Sequence, residues 1–318
     1  AEQLGETGLL LPDPVAEPDA IAPAIVTAIE TLASDTEKRK TMGIACHERA
    51  RDSFQESEML RKTEAILARA LLPAHDYASP GLEFIRPDAA FPNLTPATPQ
   101  SLQWKYLRDE IPHANYVDKR VPGTGFLNRD EAILLYNLAL PFKGKNGLEI
   151  GCWFGWSAAH IALAGVSLDV IDPVLANPQI RESVEQSLKA CKVMPLIKLH
   201  SSSSPMGVDA LAQNKMRWDF IFIDGNHEAP YPTFDAAVVA EYANDDALVV
   251  FHDLASPDVA QGLDYLRLRG WQTCIYQTSQ IMGVAWRGKV RPAAHLPDPR
   301  VQWHLPKHLR HFRIGPPA

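Results

Sequence analysis

Two short stretches put an acid next to an imidazole: Asp224-Gly225-Asn226-His227 and His252-Asp253. A histidine, with an ordinary pKa near 6.5, can take a proton from a hydroxyl at neutral pH. Two carboxylates close in space can instead hold a divalent cation such as Mg²⁺, which lowers the pKa of a bound hydroxyl. His227 and Asp224 are therefore the candidate catalytic residues, and Asp224 and Asp253 the candidate metal ligands. A third stretch, Glu149-Ile150-Gly151-Cys152-Trp153-Phe154-Gly155-Trp156-Ser157, has the look of a ligand cradle. Its glycines allow a sharp turn and a close ligand approach, and a helix starting near Ser157 would aim free N–H groups at the same place. About twenty residues on, Asp172 can accept both hydroxyls of a ribose.

Elements must hold these residues. GLEIG (147–151), SLDVID (167–172), MPLIKLH (194–200), WDFIFID (218–224) and ALVVFHD (247–253) read as strands. Helical stretches at 157–164, 178–190, 232–243 and 257–269 alternate with them. Strands that are apolar on both faces imply a mostly parallel sheet covered on two sides. WQTCIYQ and IMGVAWR, with turn residues between, predict a terminal antiparallel hairpin. The expected fold is a doubly wound, Rossmann-like α/β sheet of seven strands, plus a mainly helical N-terminal segment. In such a sheet ligands bind beyond the carboxyl ends of the strands, where Asp172, Asp224 and Asp253 all stand.

A dinucleotide would ask for GxGxxG, but here the spacing is GxxxG with Trp153 inside the turn, and an acid in the turn repels phosphate. A sulfonium with an amino-acid tail suits an acidic, partly aromatic site better. LEIGCWFGWSAAHIA, VIDP, WDFIFIDGNHEAP, ALVVFHDL and MGVAWRG, in that order, resemble the class I S-adenosylmethionine-dependent methyltransferases. They are most similar to the subgroup with IDGxH after the fourth strand and HD after the fifth, over about 120–288. The resemblance implies that Glu149, Gly151, Gly155 and Ser157 surround the methionine part of the cofactor. It implies further that Asp172 holds the ribose, and that Ser201 or Ser202 lines the adenine. Related metal-dependent O-methyltransferases often carry Asn after the second acid, where this chain has Leu254. His252 is expected to make a structural hydrogen bond, and Trp153, Trp156 and Tyr231 to wall the acceptor pocket.

The first 72 residues differ in kind. ETGLLLPDP followed by AIVTAIETLASDTEKRKTMGIACHERARDSF resembles the C-terminal end of a GT-B glycosyltransferase, with Glu6 nearest that family's sugar-nucleotide region. Helical periodicity runs through Ile21, Ile25, Ala28, Ile29 and Leu32. Asp35 is placed to cap a second helix, and a third is predicted over 57–72. Residues 73–100 carry Pro73, Pro80, Pro87, Pro92, Pro96 and Pro99 and read as an extended linker; 101–288 is the methyltransferase domain. Residues 289–318 read as a solvated, basic tail packed on the surface, whose histidines invite, but do not complete, a metal motif.

The implied activity is methyl transfer to a sugar or other small hydroxylated acceptor, within a glycosyltransferase–methyltransferase fusion. The alternative is a glycosyltransferase-associated, non-catalytic module that keeps the fold. The 318 residues carry a net charge of −7, which disfavours nucleic acid as a partner. No apolar run is long enough to span a membrane, and no signal peptide is expected. Four dispersed cysteines fit a reduced, cytoplasmic setting. Association into a homo-oligomer is left open.

Overall fold

The computed structural model describes residues 18–53, 60, 76–98, 101, 104–108, 111 and 113–317. The chain divides into two units, Ala1–Leu72 and Pro73–Ala318. In the first, α1 (Pro18–Ser34) and α2 (Thr36–Ser53) are joined at Asp35. As its short side chain predicts, Asp35 caps α2, its Oδ1 accepting from the Lys38 N–H at 2.8 Å. Ile25, Val26, Ile29 and Ile44 are exposed on these helices. The expected strand at 8–12, Glu6, and the helix at 57–72, apart from residue 60, lie outside the described residues.

The second unit holds two sheets. A small antiparallel one joins β1 (Leu94–Pro96), β2 (Tyr116–Asp118) and β3 (Val121–Phe126). The large one contains β4 (Asn146–Ile150), β5 (Ser167–Ile171), β6 (Ile197–His200), β7 (Trp218–Ile223), β8 (Ala243–Phe251), β9 (Gln272–Tyr276) and β10 (Met282–Arg287). Its order is β6-β5-β4-β7-β8-β10-β9, parallel except where β10 pairs with β8 and β9. Alternation along β7 explains the two-sided cover. Phe220 and Phe222 face a core that includes α3 (Arg129–Ala139), α4 (Trp156–Leu163) and α5 (Pro178–Ala190). Ile221 and Ile223 face the opposite core, with α6 (Met206–Gln213), α7 (Tyr231–Tyr242) and α8 (Pro257–Leu268).

Two expectations are corrected. Residues 76–98 are not a free-standing linker. Phe91 is buried against Trp156, Asp76 and Asp88 pair with the buried Arg129, and the Ser79 N–H donates to Asp130 Oδ1 at 3.0 Å. The segment forms only one helical turn and the short strand β1, and its acidic and apolar residues find partners on α3 and α4. Residues 289–317 pack more deeply than a surface tail. Leu309 and Phe312 are buried, Ile314 bridges to Ile275, and His295 Nε2 lies 2.8 Å from Asp130 Oδ2. His308 and His311 pair separately, with the Leu254 carbonyl and with Asp264, so they share no site. Among the described residues no helix is long and apolar enough to cross a membrane.

Candidate active site

The ladder of the parallel strands sets the site. Ile223 pairs with Phe251, so the next residues, Asp224 and His252, emerge side by side at the carboxyl end of the sheet. The ladder bonds continue: Asp224 N–H donates to the Ile150 carbonyl at 2.9 Å and His252 N–H to that of Ile223 at 3.2 Å. Asp253 then takes a left-handed backbone, φ 59°. For a residue with a side chain this is unfavourable and is held by its surroundings. Here Leu254 and Ala255 donate to the carbonyls of Ile281 and Gln280, tying the turn to the β9–β10 hairpin.

The side chains converge. His227 Nε2 lies 3.2 Å from Asp224 Oδ1 and 3.3 Å from Asp253 Oδ2. His252 sits under them, its Nδ1 3.5 Å from Asp224 and 3.2 Å from Asp253, its Nε2 3.2 Å from Glu131 Oε2. Burial opposes charge on His252, but the surrounding Asp253, Asp224 and Glu131 carboxylates raise its pKa well above the ordinary histidine value. Burial likewise works to raise Asp224, and the charge of His252 with the bond from His227 holds it far below the usual carboxylate range. His227 is drawn down by burial and raised more strongly by its hydrogen bond to Asp224 and the charge of Asp253. His252 thus sits among three acids, where an imidazolium is favoured, rather than making the single structural hydrogen bond expected for it.

Glu131 was not legible as a site residue. It belongs to a capping box at the start of α3: the Asn128 side chain accepts from the Glu131 N–H, and the Glu131 side chain accepts from the Asn128 N–H. The pattern N-x-x-E signals the cap, but not that Glu131 also reaches His252 and accepts from the Gln280 N–H at 2.7 Å.

The glycine turn follows β4. Gly151 has φ 84°, and a Cβ there would collide with the Asp224 carbonyl, so glycine lets the first and fourth strand ends meet. Trp153 also has a positive φ, 44°, in a turn held from outside. Asp172 Oδ2 accepts from the N–H of Cys152 at 2.8 Å and of Trp153 at 3.0 Å, while Oδ1 accepts from Val174 at 2.9 Å. Asp172 therefore shapes the turn as well as facing the cavity.

A cavity of about 630 Å³ opens over these strand ends. Gly151, Ser157, Asp172, Asp224, His227, His252 and Asp253 line it, with Trp153 and Tyr231. Four expected residues fall elsewhere. Glu149 is fully buried below the cavity, where Ser157 Oγ donates to it and burial raises its pKa well above the usual value. Gly155 caps α4 in a left-handed conformation and faces Val184 on α5. Ser201 and Ser202, just after β6, are not among the residues lining the cavity, whereas Ser203 and Ser204 are. Trp156 is buried in the core, its Nε1 donating to the Leu127 carbonyl at 3.2 Å, and it also borders the cavity. Sequence reasoning also missed Trp104, Asp235 and Gln280, which reach the cavity from segments distant in the chain.

Asp224, His227 and Asp253 each offer a ligand atom, all within 4.8 Å of one another. Two carboxylates and an imidazole fit a divalent cation in donor type, the imidazole being the donor that Mg²⁺ favours least. For S-adenosylmethionine, the glycine cradle, the acid after β5 and the acid-lined floor fit a ribose and a cationic centre.

Residues 148–254 match a family model described as a methyltransferase domain. The chain thus carries a methyltransferase domain over these residues, which include Gly151, Asp172, Asp224 and Asp253 of the cavity. Among solved structures the chain is similar to an O-methyltransferase of tomaymycin synthesis from Streptomyces achromogenes, in complex with S-adenosylmethionine. Identity there is 17%, coverage 51% of this chain and 82% of that one, TM-score 0.44. It is similar too to a putative O-methyltransferase from Klebsiella pneumoniae, at 14% identity, 71% and 96% coverage and TM-score 0.45. No curated protein matches the chain.

Proposed function

We propose that this chain transfers a methyl group from S-adenosylmethionine to the hydroxyl of a small acceptor, with His227 as the general base. The carrying observation is His227 at the cavity, bridged by Nε2 to both Asp224 and Asp253. With Nε2–H donating to the two acids, Nδ1 is left as the basic nitrogen. The cofactor supplies an electrophilic methyl group whose bonding pair departs with sulfur. The acceptor oxygen gives its proton to Nδ1, and the imidazolium so formed is stabilised by the two carboxylates, with His252 fixed beneath by Glu131. Asp172 and the Gly151 turn hold the ribose and the amino-acid part.

If a divalent cation binds, Asp224, Asp253 and His227 would hold it, and it would lower the pKa of a nearby hydroxyl. The glycosyltransferase-like sequence before residue 72 favours a sugar as acceptor and a fusion of the two activities. Calorimetric titration of S-adenosylhomocysteine tests the cofactor assignment: micromolar binding supports it, and no binding rejects it. Repeating the titration with Mg²⁺ tests the cation.

A further inference from the structure

Two further residues, Trp104 and Gln280, line the cavity that holds the acid–histidine cluster. Trp104 comes from the segment before the small sheet's second strand. Its indole lines the cavity and packs on the His227 ring, centroids 5.4 Å apart and planes 55° apart. Tyr106 supports it edge-on at 5.5 Å. An indole wall beside the base offers a flat surface to whatever presents its hydroxyl there. On the other side stands Gln280, in the hairpin turn between β9 and β10. Its backbone N–H is used by Glu131. Gln280 is among the residues lining the cavity and is 4% exposed; its Oε1 and Nε2 are both buried and have no hydrogen-bond partner among the described residues. A buried amide left unpaired is unfavourable, and its natural complement is a group that both donates and accepts. A hydroxyl does both.

We propose that Trp104 and Gln280 form the acceptor subsite, and that it takes a hydroxylated ring. The ring lies against the indole, one hydroxyl reaches the Gln280 amide, and another is presented to His227. This rests on the O-methyl transfer proposed above and deepens it. An aromatic diol and a pyranose share the chemistry, since both a π face and a sugar's C–H face pack on indole.

The test uses the full chain saturated with S-adenosylhomocysteine, with ligand-observed NMR titrations of catechol, methyl α-glucopyranoside and, as an open-chain polyol, glycerol. The expected result is that a ring probe binds and glycerol does not. Trp104→Ala and Gln280→Leu should each weaken that probe about tenfold, while affinity for S-adenosylhomocysteine stays within about twofold of the unsubstituted chain. Trp104→Phe should restore most of the loss, which separates the stacking role from a folding defect. Preference for catechol assigns an aromatic acceptor; preference for the pyranoside assigns a sugar. The subsite is overturned if cofactor-loaded protein binds neither ring, binds glycerol equally, or binds a ring undiminished in both variants. Failure of S-adenosylhomocysteine itself to bind would overturn the cofactor reading, and this subsite with it.

Discussion

His227 carries the sharpest expectation at the scale of single residues. Its base form is the neutral one, and its pKa is raised despite burial by Asp224 and Asp253. Methyl transfer should therefore rise with pH through an apparent pKa above the ordinary 6.5 or so. A pH–rate profile checks this. His227→Asn should lower turnover by roughly 10²–10⁴-fold while leaving the affinity for S-adenosylhomocysteine nearly unchanged. Asp235, 3% exposed on α7, has its pKa pushed up to about 6 by burial, partly offset by Ser204. In the unfolded chain this carboxyl ionises near pH 4, in the folded chain near 6. Folding stability therefore falls as pH rises between these values and is level above them, a cost of about 3 kcal/mol at neutral pH. Asp235→Asn should raise the melting temperature near pH 7.5 and have little effect near pH 4.

Between residue and molecule stand the turns that bring strand ends together. Gly151 works because β4 and β7 are neighbours and no Cβ fits between its Cα and the Asp224 carbonyl. Gly151→Ala adds this clash to a positive φ and should destabilise the fold by at least about 2 kcal/mol, measurable by chemical denaturation. Asp172 accepts three backbone N–H groups, two from the glycine turn. Asp172→Ala should cost about 3 kcal/mol and release the turn, so cofactor affinity should fall together with stability. A loss of affinity without a loss of stability would assign Asp172 to the ligand alone.

Across the whole second unit, the segments outside the seven-stranded sheet are part of its core and of its site. Residues 76–98 cover α3, and 289–317 return to the same helix through His295 and Asp130. Asp130 adjoins Glu131, which holds His252, so the C-terminal segment steadies the start of α3 from behind. Ending the chain after residue 288 would expose the surfaces now covered by Leu309 and Phe312. Burying each contributes about 1.5–3 kcal/mol, so the shortened chain should lose solubility and show a markedly lower melting temperature.

By itself the sequence determined the alternating strands and helices, because β7 and β8 are apolar on both faces and the helices between them are periodic. It also marked the strand-end acids, since an Asp closing an apolar run stands at the carboxyl edge of a parallel sheet. It pointed to Ser201 and Ser202 where Ser203 and Ser204 line the cavity, because where a loop meets a cavity depends on the chain's path after β6. Only the tertiary structure decided that Glu149 lies under the cavity, that His252 sits among Asp224, Asp253 and Glu131, and that Trp104 and Gln280 line the cavity. The pairs Glu131–His252 and Trp104–His227 join residues over a hundred positions apart. No local spacing encodes them, because they are created by sheet order and by segments folding back onto α3.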